Sequence, residues 1–176
     1  GFTIAVAGAF NKGFIHGLRL SWLGVTQVRL EVGQARDSAD GGNIDITATK
    51  TIDIATSGAN GLDTGAEAAS TWYAVWAIGK TDGTTAGLLS TSFTAPTMPI
   101  GYTLKRLIGA VRNNGSSDLI EFWVAGEVPD KDFFTTAQGN NGTLHTTGST
   151  SWTTVTGGGD DIPAGQASHY WLRLVI

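Results

Sequence analysis

The chain contains no cysteine among its 176 residues. This excludes disulfide bonds, thiolate metal sites and cysteine nucleophiles. Charged residues are also scarce, at 15% of the sequence against about 25% in an average domain. The formal net charge is −4, and the basic residues are scattered, so we expect no basic surface that could neutralise a nucleic-acid backbone. The expected partners therefore include no nucleic acid.

Long hydrophobic runs are missing as well. No segment approaches the roughly 20 apolar residues that a membrane-spanning helix needs, so we expect no membrane insertion. The opening GFTIAVAGAF lacks the basic start of a signal peptide. Because the chain opens with Gly1 instead of methionine, we expect it to be a processed product or the end of something longer.

Helical periodicity is absent, since apolar spacings of three and four never persist over about 12 residues. Alternating apolar positions between turn residues predict strands instead. The clearest are two hairpins, the first with an Asp-Gly turn and the second with an Asn-Gly turn. They comprise Thr71–Lys80 with Leu88–Phe93, and Leu104–Arg112 with Leu119–Ala125. Both faces of Thr71–Lys80 are apolar, which predicts a central strand.

Weaker strand signals precede the hairpins. Alternation predicts two strands joined at Leu23-Gly24, a polar turn at Ala35–Gly42 and a further strand or pair over 44–54. Small residues over Gly58–Ala69 predict a loop, or a short helical turn over Leu62–Glu67. The sequence as a whole predicts an all-β protein, an antiparallel, jelly-roll-like β-sandwich of roughly ten strands with little or no helix.

Three segments are expected along the chain. Residues 1–17 form a strand or linker from a preceding region, and residues 18–126 form the main sandwich. A change in composition after Gly126 sets off residues 127–176, which are expected to form a hairpin and a closing strand. This last segment is either separate or part of the same sandwich.

No residue pattern predicts catalysis or a cofactor. His16, His145 and His169 lack any metal-ligand spacing and are expected to be structural or exposed. Asp residues could form a glycosidase pair or a calcium cage, but those beside glycine, as at Asp40-Gly41 and Asp82-Gly83, are typical of turns that bond their own backbone. The other carboxylates considered are Asp37, Asp45, Asp130, Asp132, Asp160 and Asp161. Among them, Asp160-Asp161, which follows three glycines, is the best candidate for binding a cation.

The six tryptophans raise the possibility of a carbohydrate surface, because sugar rings stack on exposed indole faces. Five of them lie on apolar strands and are expected to be core residues. They are Trp22, Trp72, Trp76, Trp123 and Trp171. Trp152, between Ser151 and Thr153, is the one expected at the surface.

Two stretches carry a family resemblance. Val32–Asp53 contains an ARDS turn, and Thr71–Phe122 contains a TWY strand followed by PIGYTLKRLIGA and a glycine turn. In order and spacing, residues 20–126 resemble a domain of bacteriophage tail-fibre, tail-spike and related virion proteins. The resemblance implies a β-sandwich at the end of a fibrous virion protein, usually a homotrimer, that contacts the host surface or caps the fibre. It brings no catalytic residues.

We therefore expect a non-enzymatic virion domain, located in the phage tail and acting outside the cell, that trimerises, contacts other tail proteins and binds a bacterial surface glycan or protein. Polar loops on a rigid sheet are where recognition concentrates. The candidate receptor contacts are Asn140, Asn141, His145, Trp152, Asp160 and Asp161. The alternatives are a purely structural tail or capsid decoration domain, and a carbohydrate-binding module or depolymerase fragment.

Overall fold

A computed structural model describes residues 10–125 and 132–135. Contacts within the chain define two compact units, Gly1–Thr136 and Ala137–Ile176. The second unit lies outside the described residues. Every regular element of the described residues is a strand, which confirms the all-β prediction. The strands are β1 (Ile15–Gly17), β2 (Leu20–Gly24), β3 (Gln27–Leu30), β4 (Gly33–Arg36), β5 (Asn43–Ile46), β6 (Lys50–Asp53), β7 (Gly61–Leu62), β8 (Trp72–Gly79), β9 (Thr85–Ser90), β10 (Leu104–Arg112), β11 (Phe122–Ala125) and β12 (Asp132–Thr135).

The first six strands form two three-stranded antiparallel sheets, ordered β1-β4-β5 and β2-β3-β6. The hydrogen bonds of the β1–β4 pair continue into the β2–β3 pair at one corner. There Leu18 N donates to Val32 O at 3.0 Å, and Glu31 N donates to Arg19 O at 2.8 Å. Gly17, at φ 68°, makes this corner possible, because a Cβ there would press on Val32 O at 2.6 Å. The chain thus passes from one sheet to the other by bending.

β8 lies in the middle of the four-stranded sheet β10-β8-β9-β7. It pairs antiparallel with β9 and β10, and all of its residues after Trp72 are buried. The prediction of a central strand at Thr71–Lys80 is therefore confirmed. The edge strand β7, which runs parallel to β9, lies inside Gly58–Ala69, where the sequence predicted a loop or a short helical turn. Two residues are too few for an alternating pattern to reveal a strand.

The main core lies between the inner face of this sheet and the six earlier strands. It contains Leu30, Ile44 and Ile52 from the early strands, with Tyr73 and Leu89 from the four-stranded sheet, each fully buried. Burying one such side chain contributes about 1.5–3 kcal/mol. The core therefore fixes how the early strands lie on the four-stranded sheet.

A second apolar cluster covers the outer face of the same sheet. Trp76, only 3% exposed, packs there with Ile78 and Leu88. The connection from β9 to β10 lies over them, with Phe93, Met98 and Tyr102 packed against the cluster. The apolar side chains of this proline-containing connection therefore cover one face of the sheet. Both faces of β8 are buried for this reason.

Two other predictions need correction. The predicted polar turn at Ala35–Gly42 begins later, because Ala35 and Arg36 pair in β4 with β5. The predicted return strand Leu119–Ala125 pairs with β10 only beside the turn, where Leu119 bridges Asn113. From Phe122 onward the chain pairs instead with β12. The sandwich and jelly-roll arrangement, and the division at residues 17 and 126, stay predictions.

Candidate functional site

The six residues predicted to contact a receptor all lie outside the described residues. These are Asn140, Asn141, His145, Trp152, Asp160 and Asp161. The structure therefore neither brings them together nor separates them. Among the other residues considered, His16 is exposed on β1, opposite Gln34 of β4.

Two turns meet at one end of the four-stranded sheet and form what we call the tip surface, residues 80–84 and 99–102. The first turn joins β8 to β9, and the second precedes β10. Thr103 N donates to Gly79 O at 3.1 Å, which holds the second turn against the end of β8. The ammonium of Lys80 lies 5.0 Å from the centre of the Tyr102 ring, a cation–π distance.

Local sequence explains the shape of the first turn. Asp82 Oδ1 accepts the Thr84 N–H at 2.8 Å, and Lys80 N donates to Thr84 O at 2.8 Å. Gly83 takes φ 89°, which glycine adopts without a steric penalty. The prediction that Asp82 makes a turn by bonding its own backbone is confirmed.

The second turn presents an apolar side chain to solvent. Tyr102 N donates to Pro99 O at 3.0 Å, and Gly101 takes φ 82°, the positive value that a type II turn needs at its third position. Ile100 occupies the second position and is 98% exposed. Pro99 and Gly101 thus hold an isoleucine at the outside of the turn.

Two pKa shifts describe the electrostatics of the tip surface. Hydrogen bonds from the Thr84 backbone and hydroxyl hold the pKa of Asp82 below its usual value, and the charge of Lys80 acts in the same direction. Burial raises the pKa of Tyr102, and the negative charge of Asp82 adds to that effect. At neutral pH the surface therefore carries the Asp82 carboxylate, the Lys80 ammonium, a neutral phenol and an exposed isoleucine.

These groups are suited to recognition. Ile100 offers apolar area, Asp82 accepts hydrogen bonds, and the Tyr102 hydroxyl can donate or accept them. Within residues 10–125 and 132–135, no three His, Asp or Glu side chains gather where they could hold a metal ion.

The turn over residues 36–42 contains the other polar cluster. Asp37 is 3% exposed, and its Oδ2 accepts the N–H groups of Ala39 at 3.1 Å and Gly41 at 3.0 Å. Asp40, which was expected to bond its own backbone, pairs instead with the Arg36 guanidinium Nε at 2.6 Å. The turn prediction is right, but Asp37 is the residue that makes the backbone bonds. This cluster is structural.

The tryptophans of the described side chains do not form a sugar-stacking row. Trp76 is buried and donates from Nε1 to Ser92 O at 3.2 Å, and Trp22 donates to Leu119 O at 3.1 Å while packing against the core. Trp72 is half-buried, with the Arg112 guanidinium 5.9 Å from its ring centre. The core prediction is confirmed for Trp76. Trp22 and Trp72 are only partly buried.

Sequence reasoning missed the tip surface as a unit. It predicted the Asp82-Gly83 turn, but not the approach of Pro99–Tyr102 to that turn, which depends on the outer-face cluster. The available signal was Pro-Ile-Gly, a turn sequence with an apolar residue at its most exposed position.

Comparisons with known proteins do not assign this chain to a family. No protein-family model, no curated protein and no solved structure matches this chain. Within the described residues, no helix is long and apolar enough to span a bilayer.

Proposed function

We propose that this chain is a non-enzymatic domain of a phage tail fibre or spike that binds a glycan or protein on the bacterial surface and works as a homotrimer. The observation that carries the proposal is the ordered set of motifs that resembles virion domains. These are the ARDS turn, the TWY strand and the GYT segment leading into IGA.

A contact between two of these motifs supports treating them as one set. Asp37 of the ARDS turn accepts the N–H of Lys105, which follows the GYT segment, at 2.8 Å. Ser38 N then donates to Lys105 O at 2.9 Å. The motifs lie far apart in sequence and contact each other in the fold, as parts of one structural domain do.

The tip surface supports recognition. It places an isoleucine, a carboxylate and a lysine–tyrosine pair on turns anchored to a rigid central strand, where binding residues commonly lie. The candidate loop residues Asn140, Asn141, His145, Trp152, Asp160 and Asp161 remain a second proposed contact surface.

Adsorption to cells tests the proposal. The purified chain, fluorescently labelled, would be incubated with a panel of bacterial strains and sedimented with the cells. We expect strong retention by some strains and none by others. Periodate or protease treatment of a retaining strain then distinguishes a glycan from a protein receptor. Uniform absence of retention, with the chain trimeric in solution, would favour the structural alternative.

The structural alternative, a domain that only trimerises or decorates the tail or capsid, draws on one observation. Charged residues are 15% of the chain, and a neutral polar surface suits packing against copies of itself. Sedimentation equilibrium measures the trimer that both readings expect, and adsorption separates the two. Loss of host polysaccharide on incubation with the chain would instead support a depolymerase fragment.

A further inference from the structure

The turn after β10 contains an asparagine followed by glycine, Asn114-Gly115, and hydrogen bonds fix the backbone and side-chain oxygen of this asparagine. Asn114 is held at both backbone ends. Its N–H donates to Asp118 O at 2.8 Å, and its carbonyl accepts Ser70 N at 2.8 Å and Ser117 N at 3.2 Å. Its side chain is fixed as well, because Oδ1 accepts the N–H of Ser116 at 2.8 Å and of Asp118 at 3.0 Å.

From this geometry we propose that Asn114 is a site of spontaneous deamidation, a modification that the folded turn permits. The nucleophile is the backbone nitrogen of Gly115, which follows directly in the chain. Gly115 is exposed, and its N–H donates no hydrogen bond to any described residue. The side-chain nitrogen Nδ2 of Asn114 also donates none within that part of the chain, so the leaving group is unhindered.

The reaction balances with water as the only co-reactant. Solvent hydroxide removes the Gly115 N–H proton, and the nitrogen attacks Cγ of Asn114. The bond from Cγ to Nδ2 then breaks, and Nδ2 leaves as ammonia after taking a proton from water. Water opens the resulting five-membered imide at either carbonyl, which yields aspartate or isoaspartate.

The two N–H donors on Oδ1 are the feature that favours this site. Negative charge develops on Oδ1 when the tetrahedral intermediate forms, and fixed backbone donors stabilise such charge without reorganisation. Ser116 and Asp118 therefore provide what amounts to an oxyanion hole.

A second Asn-Gly pair in the described residues provides an internal control. Asn60 Oδ1 accepts only Gly87 N, at 2.9 Å. The nitrogen of Gly61 donates to Gly58 O at 2.9 Å, and Gly61 is buried. The attacking atom of this pair is thus occupied and inaccessible. A third pair, Asn141-Gly142, lies outside the described residues.

Deamidation would change the turn in two ways. Aspartate keeps the acceptor oxygen and adds one negative charge to a chain whose formal net charge is −4. Isoaspartate adds a methylene group to the backbone, which displaces the bonds that Asn114 makes to Ser70 and Asp118. The product mixture is therefore expected to be heterogeneous in charge and in the structure of this turn.

The test is a time course of the full chain in mildly alkaline buffer, followed by tryptic digestion and mass spectrometry. Trypsin separates the two pairs, since residues 51–80 and 113–131 fall in different peptides, and fragment ions distinguish Asn114 from Asn113. In the folded protein we expect Asn114 to be lost about tenfold faster than Asn60 or more, because the Gly115 nitrogen is exposed and two donors stabilise the charge that develops on Oδ1. In concentrated urea the two rates should converge, because the dipeptides are the same.

Two variants sharpen the experiment. Gly115 is not in the left-handed region, and a Cβ there would come no closer than 4.0 Å to Ser70 Oγ. Gly115→Ala should therefore fold normally and slow the loss of Asn114, because the methyl group hinders the attacking nitrogen. Gly24→Ala, whose Cβ meets nothing within 4 Å, should leave both rates unchanged. Equal rates at Asn60 and Asn114 in the folded state, or a ratio unaffected by urea, would overturn the proposal.

Discussion

The carboxylate of Asp37 accepts the backbone N–H of Lys105 at 2.8 Å, across 68 residues of sequence. Its second oxygen binds the N–H groups of Ala39 and Gly41. One buried side chain therefore shapes the turn between β4 and β5 and ties it to the start of β10. This contact joins the sequence motifs on which the proposed function depends.

Replacing Asp37 should cost stability. Asp37→Ala leaves three backbone N–H groups without their charged acceptor, and we expect a loss of about 2–3 kcal/mol in the free energy of unfolding. Urea denaturation followed by circular dichroism measures it. Asp45→Ala is the matched control, because Asp45 is exposed on β5, and it should change the free energy of unfolding by less than about 0.5 kcal/mol. Equal effects of the two substitutions would contradict the role given to Asp37.

Gly87 in β9 and Ile52 in β6 should be coupled. A Cβ on Gly87 would collide with Cδ1 and Cγ1 of Ile52, and overpacking of this kind costs about 1–3 kcal/mol. Ile52→Ala removes both atoms and on its own costs about 2–5 kcal/mol. We therefore expect the double variant to be more stable than the sum of the two single effects indicates.

A double-mutant cycle by urea denaturation measures this coupling. Gly24→Ala, where a Cβ would meet nothing within 4 Å, serves as a control that should leave stability nearly unchanged. Strict additivity of Gly87→Ala and Ile52→Ala would show that the two positions do not touch.

The pKa of the Asp82 carboxyl should lie below the ordinary aspartate value of 3.8, because it accepts hydrogen bonds from Thr84. A folded-state pKa below the unfolded-state pKa stabilises the protein above the unfolded value, and this stabilisation is lost as pH falls through the folded value. Carbon-detected NMR titration reads the midpoint directly. Thr84→Val removes the hydroxyl bond but keeps the backbone donor, so the midpoint should rise part of the way toward 3.8. An unchanged midpoint would exclude the Thr84 hydroxyl as a cause.

Elements with strong local signals could be predicted from sequence. β8 has apolar residues on both faces, and Asp82-Gly83 forms the turn to β9. This hairpin could therefore be predicted from its own residues. The other pairings depend on contacts between distant segments. Phe122 leaves the ladder of β10 to pair in β11 with β12, and nothing in the local pattern of Leu119–Ala125 signals the change of partner.

The site was harder to predict than the fold, for a physical reason. The exposure of Ile100 follows from a turn that Phe93 and Met98 hold over Trp76. Packing between such distant residues cannot be predicted from a short stretch of sequence. Asp37 looked like an ordinary polar turn residue because its third partner is Lys105. Composition and turn chemistry could predict that loops carry function, but not which loops meet.

Adsorption of tip-surface variants to bacteria tests the central claim most directly. The strain that retains the most wild-type chain would be titrated with the wild type and with Ile100→Ser. Val25→Ser is the control. Val25 is 50% exposed, and its backbone carbonyl accepts the N–H of Leu119 near the other end of β10. We expect Ile100→Ser to weaken retention by about tenfold, as loss of a binding hot spot does, and Val25→Ser to have no effect. Retention unchanged by Ile100→Ser would contradict recognition by the tip surface, and no retention of the wild type by any strain would contradict receptor binding itself.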